Sequence, residues 1–475
     1  MRPRLALLIA GALLAVPSCK PARPGQPPRH VLLVTLDGLR ADHLSCYAHS
    51  RPSSALPSDP LQRLEGRAVA LDDLAASGVV FAQAFSPSPL GVPALAALLT
   101  GRTPVETGVL DERSRLPRDV PTLSELARAA GFRCAAFVTE PRADVLAAVG
   151  RGFDEAHACA DDVETLALAR RWLERDFGDH AQTLLWIHLA GLEPPWRPIE
   201  HSELAEPEMW PERFLDPRYR GPADGSAEFF ERVRSGEPPL APADRTALAE
   251  LYDGRIAAVL GRLAGFLREA ADFHLRGAQA TEYWSRTLLI VAGTHGFDLG
   301  ERGNALACEL QDDQLLVPLI LRHPDSLTGE RVLNSTVELI DVLPTVVELL
   351  ELPAPRECSG RSLLSLTDSS PARAFEPRTA ITQTAQRIFS ARDARWRLVW
   401  NPYRSKFPAD DPHRALPVVA LYDHASGRAG TEDVSALYPD VVARLQQEVK
   451  AWITHQRFRP SLEIETRTRL EKLPP

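Results

Sequence analysis

Apolar runs that suit fully buried strands alternate with helical patterns along most of this chain. The first run, Val31 to Leu36, ends at Asp37-Gly38, and "QTLLWIHL", "RTLLIVAG" and "QLLVPLILR" have the same character. Strands that are apolar throughout are typical of parallel sheets covered by helices on both faces. The alternation therefore predicts a doubly wound, mostly parallel α/β sheet flanked by helices over residues 30–360.

Two other regions depart from this alternation. Residues 361–475 alternate like antiparallel strands and close on the amphipathic stretch "YPDVVARLQQEVKAWITHQ", which predicts a small C-terminal α+β subdomain with a closing helix. The proline-rich section 194–242 has no periodic pattern of its own. We expect it to form a long surface excursion over the sheet.

The N-terminus predicts export. Residues 1–19 combine two arginines, an apolar run too short to span a bilayer, and small residues before Cys19, as in a signal peptide of the lipoprotein type. Cys19 is then the expected lipidation site and residues 20–29 a proline-rich tether. This predicts a bacterial cell-envelope protein, periplasmic or on the outer membrane, held by a lipid anchor. Secretion without an anchor is the alternative.

Charge and cysteine content narrow the function classes. The 54 Lys and Arg residues against 63 Asp and Glu give a formal charge of −9, without a basic stripe, which argues against nucleic-acid binding. In an exported chain Cys134 and Cys159 are candidates for a disulfide, and buried free thiols are the alternative. No cysteine or histidine cluster has zinc-site spacing.

Functional residues are expected just after the strands, because ligands of open α/β sheets bind outside the carboxyl ends of the strands. Those positions are Asp37, the segment from Gly91, His188 with the residues after it, and Thr294-His295.

At these positions the chain resembles the sulfatase family of the alkaline-phosphatase-like superfamily. The resemblance runs in order from His30 to about Ile453. The stretches that support it are "VTLDGLRADHLSCY", "GVPALAALLTGRTPVETGV", "WIHLAGLEPPW", "GTHGFDLGERG", "LLVPLILR", "ELIDVLPTVVELL", "GRSLLSL" and "LYDHASG".

The resemblance implies a sulfuric-ester hydrolase site. The family converts a Cys or Ser within Cys-x-Pro-Ser-Arg to formylglycine, holds calcium by Asp and Asn oxygens, and places Lys and His around the sulfate. By position, Asp37 is the first metal ligand and Gly91 stands at the nucleophile, while Leu95 replaces the arginine. Glycine offers no attacking atom and no route to formylglycine.

The later stretches also lack side chains that the family uses at its site. His188 matches a family histidine, but Glu193 stands where the second histidine is expected beside the leaving oxygen. His295 is retained, while Thr294 replaces a metal-ligand Asp. Between Gly303 and Val317, where the family supplies a basic residue, there is none. Catalytic candidates are therefore reduced to His188, Glu193 and His295, and metal candidates to Asp37 and His295.

These losses favour a sulfatase-like protein without sulfatase chemistry, since such groups act together on one transition state. It would act as an exported binding or structural protein for a sulfated or anionic glycan or an envelope protein, with no cofactor expected; calcium is expected only if the family site is retained. One alternative is an active metal-dependent hydrolase of sulfate or phosphate esters with substituted groups. Another is a membrane-side assembly factor with its interface at residues 194–242.

Overall fold

The structure is a computed structural model. It describes residues 27–54, 70–140, 144–176, 182–196, 214–235, 240–272, 286–301, 310–327, 329, 331–367, 375–409, 411–425 and 432–455. Cys19 and residues 1–26, on which the predictions of a signal peptide and lipid anchor depend, lie outside the described residues.

The described strands are numbered in chain order: β1 His30–Leu36, β2 Val79–Phe81, β3 Ala84–Phe85, β4 Arg133–Thr139, β5 Glu155–Cys159, β6 Thr183–Leu189, β7 Thr287–Gly293, β8 Leu319–Arg322, β9 Arg331–Leu333, β10 Val337–Glu338, β11 Ala380–Gln383, β12 Phe389–Arg392, β13 Trp396–Trp400 and β14 Val419–Asp423.

The described α-helices follow the same numbering: α1 Leu71–Ser77, α2 Gly91–Thr100, α3 Pro104–Thr107, α4 Leu123–Ala129, α5 Val145–Val149, α6 Asp162–Asp176, α7 Ala227–Ser235, α8 Pro242–Asp272, α9 Asp312–Leu315, α10 Val342–Leu349, α11 Leu364–Thr367, α12 Pro412–Ala415 and α13 Pro439–His455. Among the described helices, none is long and apolar enough to cross a membrane.

The central sheet confirms the predicted fold class. Within the described residues it has eight strands in the order β5-β4-β6-β1-β7-β8-β2-β9. Most neighbours are parallel, and β8 runs antiparallel to both β7 and β2. Strands β1, β6 and β7 are buried along their whole length, as continuous apolar runs require.

Each face of the sheet has its own hydrophobic core. Leu32 and Val34 of β1 face a cluster that includes residues of α6 and α8, while Val31 and Leu33 face a cluster that includes residues of α2, α4 and α10. Alternate side chains of one strand point to opposite faces, so the same strand supplies both cores. The sheet is thus a layer between two layers of helices.

The proline-rich section contributes to this core. The described part of residues 194–242 includes α7, where Phe229 and Phe230 are buried. Trp196 lies edge-on to the Phe230 ring, with 5.0 Å between ring centroids, and is itself fully buried. The expected surface excursion therefore has an apolar anchor. These aromatic residues are too few to give a periodic pattern, which is why the sequence did not show the anchor.

The C-terminal region forms the expected second unit. Strands β11, β12, β13 and β14 pair antiparallel in that order, and α13 packs on them through Leu445, Val449 and Ile453. Residues of α11 still pack against the core that includes α2, α4 and α10. The antiparallel unit therefore starts at β11.

Of the two alternatives for Cys134 and Cys159, the structure has buried free thiols and no disulfide between them. Cys159 pairs with Thr139 at the far end of β4, while Cys134 lies near the start of that strand. Five residues of extended chain span about 16 Å, much more than the reach of a disulfide. Burial raises the pKa of the Cys134 thiol to about 12.

Candidate functional site

Three adjacent strands end at one point of the sheet edge. Leu36 at the end of β1 is in register with Leu189 of β6 and with Gly293 of β7. Because the strands are parallel, the residues at and after their carboxyl ends meet. The structure therefore brings together Asp37, His188, Thr294 and His295, as the strand ends predict.

Asp37 is the centre of this group. The Thr294 hydroxyl donates a hydrogen bond to Asp37 Oδ1, His188 Nε2 lies 3.3 Å from Oδ2, and His295 Nδ1 lies 3.9 Å from Oδ1. Burial alone would raise the pKa of Asp37, but the charges of the two histidines and the hydrogen bonds from His188 and Thr294 outweigh it and lower the pKa to about 2. Asp37 is therefore ionised at neutral pH, and its oxygens already have partners.

His188 is fixed from behind by β1. Its ring is fully buried, and its Nδ1 lies 2.9 Å from the Thr35 hydroxyl. The same hydroxyl accepts a hydrogen bond from Trp186 Nε1 at 2.9 Å. The Thr35 hydroxyl thus lies between Trp186 Nε1 and His188 Nδ1, and His188 Nε2 is directed toward Asp37. His188 thus acts as a fixed polar support for the carboxylate.

His295 joins Asp37 to Glu193. His295 Nε2 lies 3.2 Å from Glu193 Oε1, which brings two of the three catalytic candidates into contact. Burial alone would lower the pKa of His295, but the hydrogen bond and charge of Glu193, with the charges of Asp37 and Glu112, raise it to about 9. The imidazole is therefore a cation at neutral pH, between carboxylates on both sides.

The segment from Gly91 lies directly over Asp37. A Cβ added to Gly91 would be 2.9 Å from Asp37 Oδ2 and 3.1 Å from Oδ1. Gly91 is the first residue of α2, which is buried throughout and ends at Gly101 in the left-handed region, at φ 65°. Leu95 on this helix is fully buried and packs in the hydrophobic core. Position 91 thus has no side chain, and a Cβ there would require the Asp37 carboxylate to move.

Glu112 is a site residue that sequence reasoning missed. Its Oε2 accepts a hydrogen bond from the Val92 N–H at 3.2 Å, and the Gly91 N–H faces the same carboxylate. Burial and the charge of Asp37 raise the pKa of Glu112. No strand end or motif marks this residue, which lies in the loop after α3. Together with Glu193 it gives the site a second and a third carboxylate near Asp37 and His295.

The loop that carries Glu193 is held by Asp162 at the start of α6. Asp162 Oδ1 accepts from the Ala190 N–H at 3.2 Å, and Oδ2 accepts from the Gly191 N–H at 3.1 Å. A Cβ on Gly191 would come within 2.1 Å of Asp162 Oδ2, so a glycine is required there. The loop after β1 is held similarly, since the Tyr252 hydroxyl donates to the Gly38 carbonyl at 2.5 Å.

The donors around Asp37 differ from those that calcium prefers, which are six to eight oxygens, several of them carboxylate. Asp37 is surrounded by two imidazoles and the Thr294 hydroxyl. Within the described residues, ligand atoms converge in two other groups, which are His43 with His49 and Asp253, and Asp298 with Glu301 and Asp313. Asp298 lies away from the site and accepts from the Gly300 and Glu301 N–H groups, at 2.7 and 3.0 Å.

Solved structures share this architecture across almost the whole chain. A complex with the substrate D-glucosamine-2-N,6-O-disulfate superposes with a TM-score of 0.64 at 15% identity, covering 90% of this chain and 98% of the other. The phosphonate monoester hydrolase of Agrobacterium radiobacter gives 0.64 at 19% identity, with 90% and 95% covered. The chain therefore shares the fold of these two structures.

The sequence comparisons narrow this class. Residues 29–158, which include Asp37, Gly91 and Glu112, match the family described as Sulfatase. Arylsulfatase A of Homo sapiens is 36% identical over 136 residues, or 27% of this chain and 22% of the relative. The alkaline phosphatase superfamily protein PehA of Trinickia caryophylli is 27% identical over 140 residues, or 29% and 25%. Residues 29–158 are therefore similar to the sulfatase family, and the matched segments span about a quarter of these relatives' lengths.

Proposed function

We propose that this chain is a sulfatase-family protein whose ester-hydrolysing site is inactive or strongly impaired. The observation that carries the proposal is the contact between Gly91 and Asp37, where a Cβ would lie 2.9 Å from Oδ2. Sulfate-ester cleavage by this family needs an attacking oxygen at that position. Here the carboxylate of Asp37 lies within 2.9 Å of where a Cβ of residue 91 would be.

The surroundings of Asp37 support the same proposal. A calcium ion would gather the anionic oxygens of an ester, but Thr294 donates to Asp37 where the family has a second carboxylate. The cationic His295 lies beside Asp37 and supplies positive charge there. We therefore propose that the protein requires no calcium.

A binding role accounts for what the site retains. A structural neighbour holds D-glucosamine-2-N,6-O-disulfate, a sulfated sugar. The N-terminus of α2 and the charged His295 are groups that favour an anion. We propose a sulfated or anionic glycan as the ligand, with an envelope protein as the other candidate partner. The protein would be exported and anchored to the membrane through lipidated Cys19.

A second candidate function is an active metal-dependent hydrolase of sulfate or phosphate esters with substituted groups. The observation that favours it is the 3.2 Å contact between Glu193 Oε1 and His295 Nε2. A carboxylate paired with an imidazole can hold a proton and transfer it to a leaving oxygen. In this scheme water would be the nucleophile.

One experiment separates the two functions. Calcium, zinc and manganese are titrated into the protein by calorimetry, and turnover of aryl sulfate and aryl phosphate is measured with each metal. The variants are Asp37→Ala and Glu193→Gln, with Asp111→Asn as the control, since Asp111 is an exposed carboxylate outside the site. Turnover equal to the protein-free rate supports the binding role. Metal-dependent turnover that disappears in Asp37→Ala but persists in Asp111→Asn contradicts it.

A further inference from the structure

The N-terminus of α2 already holds an anion, which is a side chain of the same protein. Glu112 Oε2 accepts from the Val92 N–H at 3.2 Å, and the Gly91 N–H faces this carboxylate. Helix α2 spans Gly91–Thr100, so the positive end of its dipole is directed at Glu112. These N–H groups have no partner within the helix and are the type of group that binds sulfate and phosphate oxygens.

The Glu112 carboxylate lies close enough to Asp37 and His295 to interact with them. Both Asp37 and His295 interact electrostatically with Glu112, Asp37 by repulsion and His295 by attraction. His188 Nε2 is fully buried and directed at Asp37, with 3.3 Å to Oδ2. An external anion at the start of α2 would therefore meet the Glu112 carboxylate, which already accepts from the Val92 N–H. The two anions compete for the same N–H groups.

We propose that Glu112 occupies the anion position of this site and must be displaced before a sulfated ligand binds. This inference rests on the proposed binding function and adds the residue that determines its affinity. Glu112 lies outside the motifs on which the family resemblance depends and is a half-buried residue of the loop between α3 and α4. It makes the site selective against anions that cannot compete with an internal carboxylate.

The test measures binding of two probes, inorganic sulfate and a sulfated glucosamine oligosaccharide, by calorimetry at constant ionic strength. Glu112→Gln removes the charge at nearly constant size, and Glu112→Ala also removes the bulk. Asp111→Asn is the matched control, because it removes one negative charge at the adjacent residue. Asp111 Oδ1 accepts from the Arg113 N–H at 3.0 Å and from Ser114 at 2.8 Å, which an asparagine can still do.

We expect sulfate to bind either Glu112 variant at least about tenfold more tightly than it binds the wild type, because a like charge is removed from the site. Asp111→Asn should match the wild type. Equal affinity of wild type and both Glu112 variants for the oligosaccharide overturns the inference and leaves the binding function standing. Tighter sulfate binding by the variants without any oligosaccharide binding supports the inference and contradicts the glycan as ligand. Absence of binding by every variant overturns both.

Discussion

Replacing Gly91 by alanine tests whether the closed nucleophile position is a property of the folded site. Gly91 is the first residue of α2 and its φ lies outside the left-handed region, so an alanine fits the backbone. In an open position the change would stabilise the helix by about 0.5–1 kcal/mol. The position is not open, because the new Cβ would be 2.9 Å from Asp37 Oδ2 and 3.2 Å from Asp37 Cγ.

The size of the effect follows from what holds Asp37. A carbon to oxygen distance of 2.9 Å requires Asp37 to move, and Thr294 and His188 oppose this movement. Overpacking of this kind costs about 1–3 kcal/mol, and weakening a hydrogen bond to a charged group adds about 1.5 kcal/mol. After the helix gain is subtracted, we expect Gly91→Ala to lower the free energy of unfolding by about 2 kcal/mol.

A double-mutant cycle isolates this contact. Urea unfolding is measured for the wild type, Gly91→Ala, Asp37→Ala and the double variant. With Asp37 truncated, Gly91→Ala should be neutral or stabilising, so the two changes should couple by about 2 kcal/mol. Gly91→Ser should remain without aryl sulfatase activity, because its hydroxyl has no space. A stabilising Gly91→Ala with no coupling to Asp37 would refute the reasoning.

Three further predictions concern pH, charge and thiols. The pKa of His295 is about 9 in the folded protein, above its ordinary 6.5. The stability that protonated His295 contributes is therefore complete below pH 6.5 and is lost as pH rises through 9. In urea titrations, the difference in free energy of unfolding between wild type and His295→Gln should fall by about 3 kcal/mol between pH 6 and pH 10. Asp312→Ala leaves the buried Arg397 guanidinium without its carboxylate partner and should destabilise the protein by about 3 kcal/mol, whereas an unchanged urea midpoint would contradict the pairing. Reduction should leave the mass and melting temperature unchanged, because Cys134 and Cys159 are free thiols; a mass increase of two hydrogens would indicate a disulfide.

The strand pattern was enough to predict the fold and the location of the site. Residues Val31 to Leu36 read as a buried strand, and the residue after it, Asp37, lies where parallel strands meet. The reason is that burial on both faces forces a continuous apolar run, and the register of parallel strands places the following residues side by side. His188 and Thr294-His295 were found by the same argument.

The sequence left a disulfide and free thiols as alternatives for Cys134 and Cys159, because closeness to a strand end does not show which strand ends are adjacent. Cys134 and Cys159 lie on neighbouring strands but at opposite ends of their pairing. Similarly, the burial of Phe229 and Phe230 depends on how the chain folds back over the sheet after Trp196. Such contacts join residues far apart in sequence and have no local pattern.

By itself the sequence determined the α/β architecture and that residue 91 is a glycine, because periodicity and residue identity are local properties of the chain. Only the tertiary structure showed that the Asp37 carboxylate lies against Gly91. It alone also showed that Glu193 contacts His295 and that Glu112 accepts a hydrogen bond at the start of α2. These three contacts depend on the paths of loops between elements. Loop paths are set by packing against the whole fold, as in the clamp of Asp162 on Gly191, and are not encoded in any one segment.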